Sequence, residues 1–176
     1  MNHPDLSATH HLEINGCKIV INQPDPVQMA DSLLLLGRYD ELIAFCEGYL
    51  ENHRYHFHFW SLLGFGYGNK RDFNRARQCF MEALLVNPGH ALTVANFITA
   101  CLQGGDSVTA FQGIERFYNG LDAHGRKTVA ESLLQAKRQG LFTKDETPKP
   151  IWELLERSGR VPPVTQCDSY GVHSRY

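Results

Sequence analysis

The sequence predicts an all-α fold: a right-handed superhelix of about three helix pairs closed by capping helices, with a small β-hairpin at its N-terminal end. Three observations carry that expectation. Residues 57–90 hold two apolar stripes at helical spacing with a break between them. The same frame returns 34 residues earlier and 34 residues later. Strand chemistry is confined to the short run 12–21.

The central unit is the clearest. Trp60, Leu63, Gly64 and Tyr67 fall at i, i+3, i+4 and i+7, one face of a helix. Residues 69–72 break the pattern. Ala76, Phe80 and Ala83 resume it at i, i+4 and i+7, and Pro88 cannot continue a helix because it lacks an N–H. Gly64 and Ala76 are small where the two helices should cross. Trp60, Leu63, Tyr67, Phe80 and Ala83 are expected to be buried together. One repeat back, over 23–56, Met29, Ala30 and Leu33 should fill a first helix. Residues 37–40 make the turn, and Leu42, Cys46 and Tyr49 line a second helix. One repeat forward, over 91–124, Val94, Phe97, Ile98 and Cys101 precede a turn at 104–106, and Ala110, Ile114 and Phe117 follow it. The outer units are degenerate. Pro26 stands at the large aromatic position, Ile98 at the glycine, and Arg54 and Asp122 at the closing proline.

The flanks complete the organisation. Segment 1–22 holds the hairpin candidate, in which Asn15-Gly16 supplies the residues of a type I′ turn. A lone two-stranded hairpin is marginal in water, so it should pack on the helices, pair with a second copy or order on a partner. Residues 23–140 form the repeat domain with a capping helix at about 125–139, striped by Val129, Leu133, Leu134 and Lys137. Residues 141–159 are a linker and a short helix carrying Ile151, Trp152, Leu154 and Leu155. Residues 160–176, with Pro162 and Pro163, read as a flexible tail.

The spacing of the central unit resembles the tetratricopeptide repeat. Trp60, Leu63, Gly64, Tyr67, Ala76, Phe80, Ala83 and Pro88 match every signature position of that family. The resemblance implies stacked helix pairs whose first helices line a concave groove that holds another protein. Carried over position by position, the groove would be Val27, Asp31 and Leu34, then His58, Ser61, Phe65 and Asn69, then Ala95, Thr99 and Leu102. It would be mostly apolar, with Phe65 central. It offers no lysine or arginine, so it does not suit the family's clamp for a C-terminal carboxylate. An extended or helical client with hydrophobic anchors fits better.

Three repeats with a distinct N-terminal segment and a C-terminal cap are similar to the translocator-class chaperones of type III secretion. Phe59, Gly64 and Tyr67, and the stretch holding Cys101, Leu102, Gln103, Gly105, Asp106 and Ala110, carry that likeness. It implies a cytoplasmic chaperone of a membrane-inserting client, and a homodimer through the N-terminal region. The hairpin departs from that family, where a helix is expected. The alternative is a structural scaffold subunit of a multi-protein assembly without a chaperone role.

Composition excludes other classes. The 176 residues are 43% hydrophobic, enough for one domain with a real core, and the formal charge is −2. Nucleic-acid binders usually carry a basic excess, so none is expected as a partner. No apolar run approaches the ~18 residues of a membrane span, and no basic-then-apolar leader opens the chain, so a cytoplasmic location is expected. Cys17, Cys46, Cys79, Cys101 and Cys167 lack a C-x-x-C pair and read as reduced, small apolar residues. His53, His56 and His58 straddle a turn between repeats and read as solvated; no metal is expected there. Gly66 and Gly68 show no packing reason in the sequence and mark either the close approach of a ligand backbone or a loose helix. Without a phosphate loop or a nucleophile–base set, no enzyme and no cofactor are expected.

Overall fold

The computed structural model describes residues 10–14, 17–21 and 25–159. The expected Asn15-Gly16 turn and the tail at 160–176 lie outside the described residues. The fold is all-α. The helices are α1 (Pro26–Leu35), α2 (Tyr39–Asn52), α3 (Phe57–Asn69), α4 (Phe73–Val86), α5 (Ala91–Gln103), α6 (Ser107–Phe117), α7 (Ala123–Arg138) and α8 (Lys149–Gly159). Ahead of them, β1 (His10–Ile14) runs antiparallel to β2 (Cys17–Ile21), with Leu12 opposite Ile19. Short loops make α1–α2, α3–α4 and α5–α6 into hairpins. Each hairpin's first helix also packs on the second helix of the hairpin before it, and α7 packs on α5 and carries α8.

The turns repeat with the sequence frame. Gly37, Arg71 and Gly105 have φ of 68°, 63° and 78°, and they stand 34 residues apart. Behind each, the next amide closes the end of the first helix: Arg38 N–H donates to Leu33 O at 3.0 Å, Asp72 to Tyr67 O at 2.9 Å and Asp106 to Cys101 O at 2.9 Å. These are helix C-caps of the left-handed type, normally glycine. Arg71 holds the central one at a cost of roughly 1–2 kcal/mol for an L-residue. Asp72 and Asp106 then open α4 and α6, accepting from the amides of Arg75 at 3.1 Å and Thr109 at 3.0 Å. Asp25 does the same for Val27 at 3.0 Å, and with Pro26 behind it sets the start of α1 three residues into its repeat.

The central helix is packed on two sides. A methyl group at Gly64 would lie 2.6 Å from the Phe80 ring of α4, and one at Gly66 would lie 2.9 Å from Ile43 of α2. Gly66 therefore has a packing reason that the sequence alone did not supply: it lets α3 approach α2, while Gly64 admits α4. In the third hairpin, Ile98 stands at the glycine position. The gap has moved to the second helix, where a methyl group at Gly113 would lie 2.6 Å from the Phe97 ring.

Leu63, Tyr67, Phe80 and Ala83 are buried as expected, but Trp60 is only half-buried. Its neighbour Phe59 is fully buried and stacks on Tyr49 at 3.9 Å between centroids. The reason is that α3 is enclosed from both flanks, so its buried surface is wider than one stripe. Trp60 instead lies near the surface, with Nε1 donating to Arg54 O at 2.7 Å. Met29 likewise does not fill α1; it is 43% exposed. At the far end Phe142 is buried, its edge on Phe111 at 5.6 Å, so the segment after α7 is pinned to the third hairpin.

Phe59→Ala should lower stability by about 3–5 kcal/mol, the range for deleting a buried aromatic ring. Trp60→Ala should cost clearly less. Urea unfolding of both variants checks this, and the reverse order would place Trp60 in the core.

Candidate functional site

The residues expected to line a concave groove do not all reach a surface. Ser61, Ala95 and Leu102 are 7%, 1% and 2% exposed. They belong to the core, not to a groove. The cause is close stacking of first helices. The Ser61 hydroxyl lies 3.3 Å from that of Thr93, joining α3 to α5, and α7 packs along α5 with Gly125 against Ala91. The remaining positions stay on that side and are largely occupied with one another. His58 Nε2 lies 3.0 Å from Asp31 Oδ1, tying α3 to α1. Asn69 donates to Phe65 O at 2.9 Å and Thr99 to Ala95 O at 2.8 Å. Val27, Leu34 and Phe65 are half-buried, with the Phe65 ring edge-on to Phe80 at 5.6 Å. Beyond Thr99 a cleft of about 320 Å³ between α5 and α7 is lined mostly by Gln103, Thr128, Glu131, Ser132, Gln135 and Gln139. The expected continuous apolar groove is thus interrupted and turns polar.

The large opening lies on the other side. A trough of about 1180 Å³ runs between α2 and α4, with α3 as its floor. Glu47, Leu50, Glu51 and Arg54 form one wall, Arg75, Gln78, Glu82, Leu85 and Val86 the other, and Trp60, Leu63, Tyr67 and Cys79 lie beneath them. The floor is tied to both walls. The Tyr67 hydroxyl donates to Glu47 and accepts from Arg75 at 3.3 Å, while the Arg75 guanidinium sits 4.6 Å from the Tyr67 ring centre and pairs with Asp72 at 2.6 Å. Burial, then the hydrogen bond to Glu47, pushes the Tyr67 hydroxyl above its ordinary pKa. At one end the wall turns apolar: Tyr55, Leu85 and Val86 are 88%, 58% and 39% exposed beside Trp60.

The repeat resemblance places a groove on the first helices, so it does not point to this surface, whose walls come from second helices. One signal was present. The apolar run 83–86 continues past the buried Ala83 and Leu84 onto the exposed side of α4.

The histidines are not a solvated set. His53 stacks on Tyr49 at 4.1 Å and its Nδ1 lies 3.0 Å from Tyr49 O. His56 is edge-on to Phe59 at 4.9 Å, with Nδ1 buried and unpartnered, and His58 turns the other way to Asp31. Among the described residues no three histidine, cysteine, aspartate or glutamate side chains converge as a metal site would require. The thiols of Cys46, Cys79 and Cys101 are each pushed up to about 12, chiefly by burial. They therefore hold little thiolate at neutral pH. No described helix is long and apolar enough to cross a membrane.

These features define the class of protein: a stack of helical hairpins with an open trough on the face formed by the second helices. No family model and no curated protein matches the chain.

Burial, then the charge of His58 and His53, lowers the pKa of His56; burial, then His58, lowers that of His90. Nδ1 of His90 accepts from the Thr93 amide at 3.3 Å, a role that a protonated nitrogen cannot play. In the unfolded chain both take a proton near pH 6.5. The unfolded state therefore binds more protons as pH falls through about 6.5, and the fold loses stability there. The melting temperature should drop between about pH 7 and 5, and His56→Gln with His90→Gln should flatten that slope. A slope unchanged in the double variant would show that other groups control it.

Proposed function

We propose that this chain is a tetratricopeptide-type adaptor that holds a segment of another protein, with no catalytic chemistry of its own. The trough between α2 and α4 is the observation that carries the reading. It is open, has a floor tied to both walls through Tyr67, and ends in exposed aromatic and aliphatic side chains of the kind that anchor protein interfaces. The 34-residue return of the left-handed turns at Gly37, Arg71 and Gly105 supports the repeat assignment. The likeness to translocator-class secretion chaperones supports a cytoplasmic chaperone as the specific form of the adaptor. In that form the N-terminal strands would serve a second contact, with a partner or with a second copy of the chain.

The partner surface moves, in this reading, from the first-helix side to the trough. A photo-crosslinking residue at Tyr55, in the trough, should capture a partner in cells of the native host. The same residue at Asn69, exposed on the opposite side, should capture little. Leu85→Asp should abolish the Tyr55 adduct while leaving the fold intact, since Leu85 is exposed. Adducts at Asn69 alone would return the site to the first-helix side, and adducts at neither position would contradict the adaptor reading.

A further inference from the structure

We infer that the trough takes a cationic amphipathic helix from a partner protein. The inference rests on the docking role proposed for the trough and goes on to name the chemistry of what docks.

Shape comes first. The walls α2 and α4 are both 14 residues long, about 21 Å at 1.5 Å per residue. Each packs on α3, and Gly64 and Gly66 let α3 approach them closely. A further helix can therefore lie over α3, seated between two helices as α3 itself is. Helix packing brings axes to within about 8–10 Å, so a helix seated here would touch both walls.

Charge selects the helix. Most acidic residues nearby already have cations: Asp40 pairs with Lys70, Glu41 with Arg38, Asp72 with Arg75 and Asp106 with Arg77. Glu47 and Glu51 on α2 and Glu82 on α4 face the trough and enter no ion pair among the described residues. They sit on opposite walls, so a ligand lying between them meets carboxylates on both flanks. Of the two arginines in the trough, Arg75 is already committed to Asp72 and Arg54 enters no ion pair among the described residues, so three carboxylates face one uncommitted cation. The field of these carboxylates is felt on the floor. After burial, the largest influences holding the Cys79 thiol up are Glu47 and then Glu82.

The apolar end supplies the remaining requirement. Trp60, Leu85 and Val86 offer an anchor site for large aliphatic or aromatic side chains. A helix with one apolar stripe and lysine or arginine on both of its flanks would satisfy both features, the stripe on Trp60 and Leu85 and the flanks on Glu47, Glu51 and Glu82. An anionic partner would meet unpaired carboxylates from both sides.

The test is a display library of 14-residue helices with leucine fixed on one face and lysine, glutamate or glutamine allowed at the flanking positions. It is selected on the full chain, on the Glu51→Lys, Glu82→Lys double variant and on Leu85→Asp, each checked for helix content by circular dichroism. The wild type should recover lysine-flanked helices, and the double variant should reverse the choice to glutamate. The best synthetic lysine peptide should bind roughly tenfold or more weaker at 0.5 M salt than at 0.05 M, as expected for exposed charges under screening. If the wild type selects helices without lysine excess and Leu85→Asp abolishes selection, the trough docks helices but the cationic inference falls. If selection is indifferent to both variants, or recovers nothing, the trough is not a helix site and the inference falls, while the crosslinks at Tyr55 and Asn69 decide the adaptor reading separately. A wild type that sediments as a dimer, and a monomeric Leu85→Asp, would assign the trough to a second copy of this chain and overturn the inference.

Discussion

The close approach of α3 to its two neighbours governs the rest of the molecule. Gly64 admits the Phe80 ring on one side, and Gly66 admits Ile43 on the other. Two glycines in a helix interior each cost roughly 1 kcal/mol relative to alanine. That cost is offset by the buried contact they permit, since Phe80 and Leu42 are almost wholly removed from water. The close packing of α3 also has a functional consequence. Tyr67 on the trough floor is held by Glu47 of one wall and Arg75 of the other.

The turns hold the hairpins in register with that packing. Each requires a left-handed residue one position before the cap of the second helix, and the cap is aspartate in the second and third hairpins. The burial and hydrogen bonding that the histidines and cysteines find are products of this stacking. His90 caps α5, and His58 ties α3 to α1. They serve as joints between hairpins, which explains why a cluster conspicuous in sequence has no common focus in space.

Much of the fold was legible because helical periodicity and turn residues are local signals. Gly37 and Gly105 announce their turns; Arg71 does not, and only the 34-residue frame places a left-handed residue there. What periodicity could not resolve was the width of the buried face. A helix enclosed from two flanks buries Phe59 as well as Leu63, and pushes Trp60 outward. Nor could a one-unit signature show that the glycine of the third hairpin had moved from position 98 to 113, because the exchange is visible only when the two helices are paired. The site was less legible than the fold. Groove positions carried over from a family presume the family's spacing between first helices. Here the contact of Ser61 with Thr93 and the packing of α7 on α5 bury Ser61, Ala95 and Leu102. The trough has no sequence signature of its own; it is assembled from polar positions of α2 and α4, with Leu85 and Val86 as its one irregular mark.

The steric match between Gly64 and Phe80 is the central claim, and a double-mutant cycle on urea unfolding tests it directly. Alone, Gly64→Ala should destabilise by about 1–3 kcal/mol through overpacking, despite the ~1 kcal/mol that alanine gains in helix propensity. In a Phe80→Leu background the ring is gone, and the same substitution should become neutral or stabilising, giving a coupling of at least about 1 kcal/mol. If Gly64→Ala stabilises the wild type, or the two effects simply add, then α3 and α4 are not held by that contact.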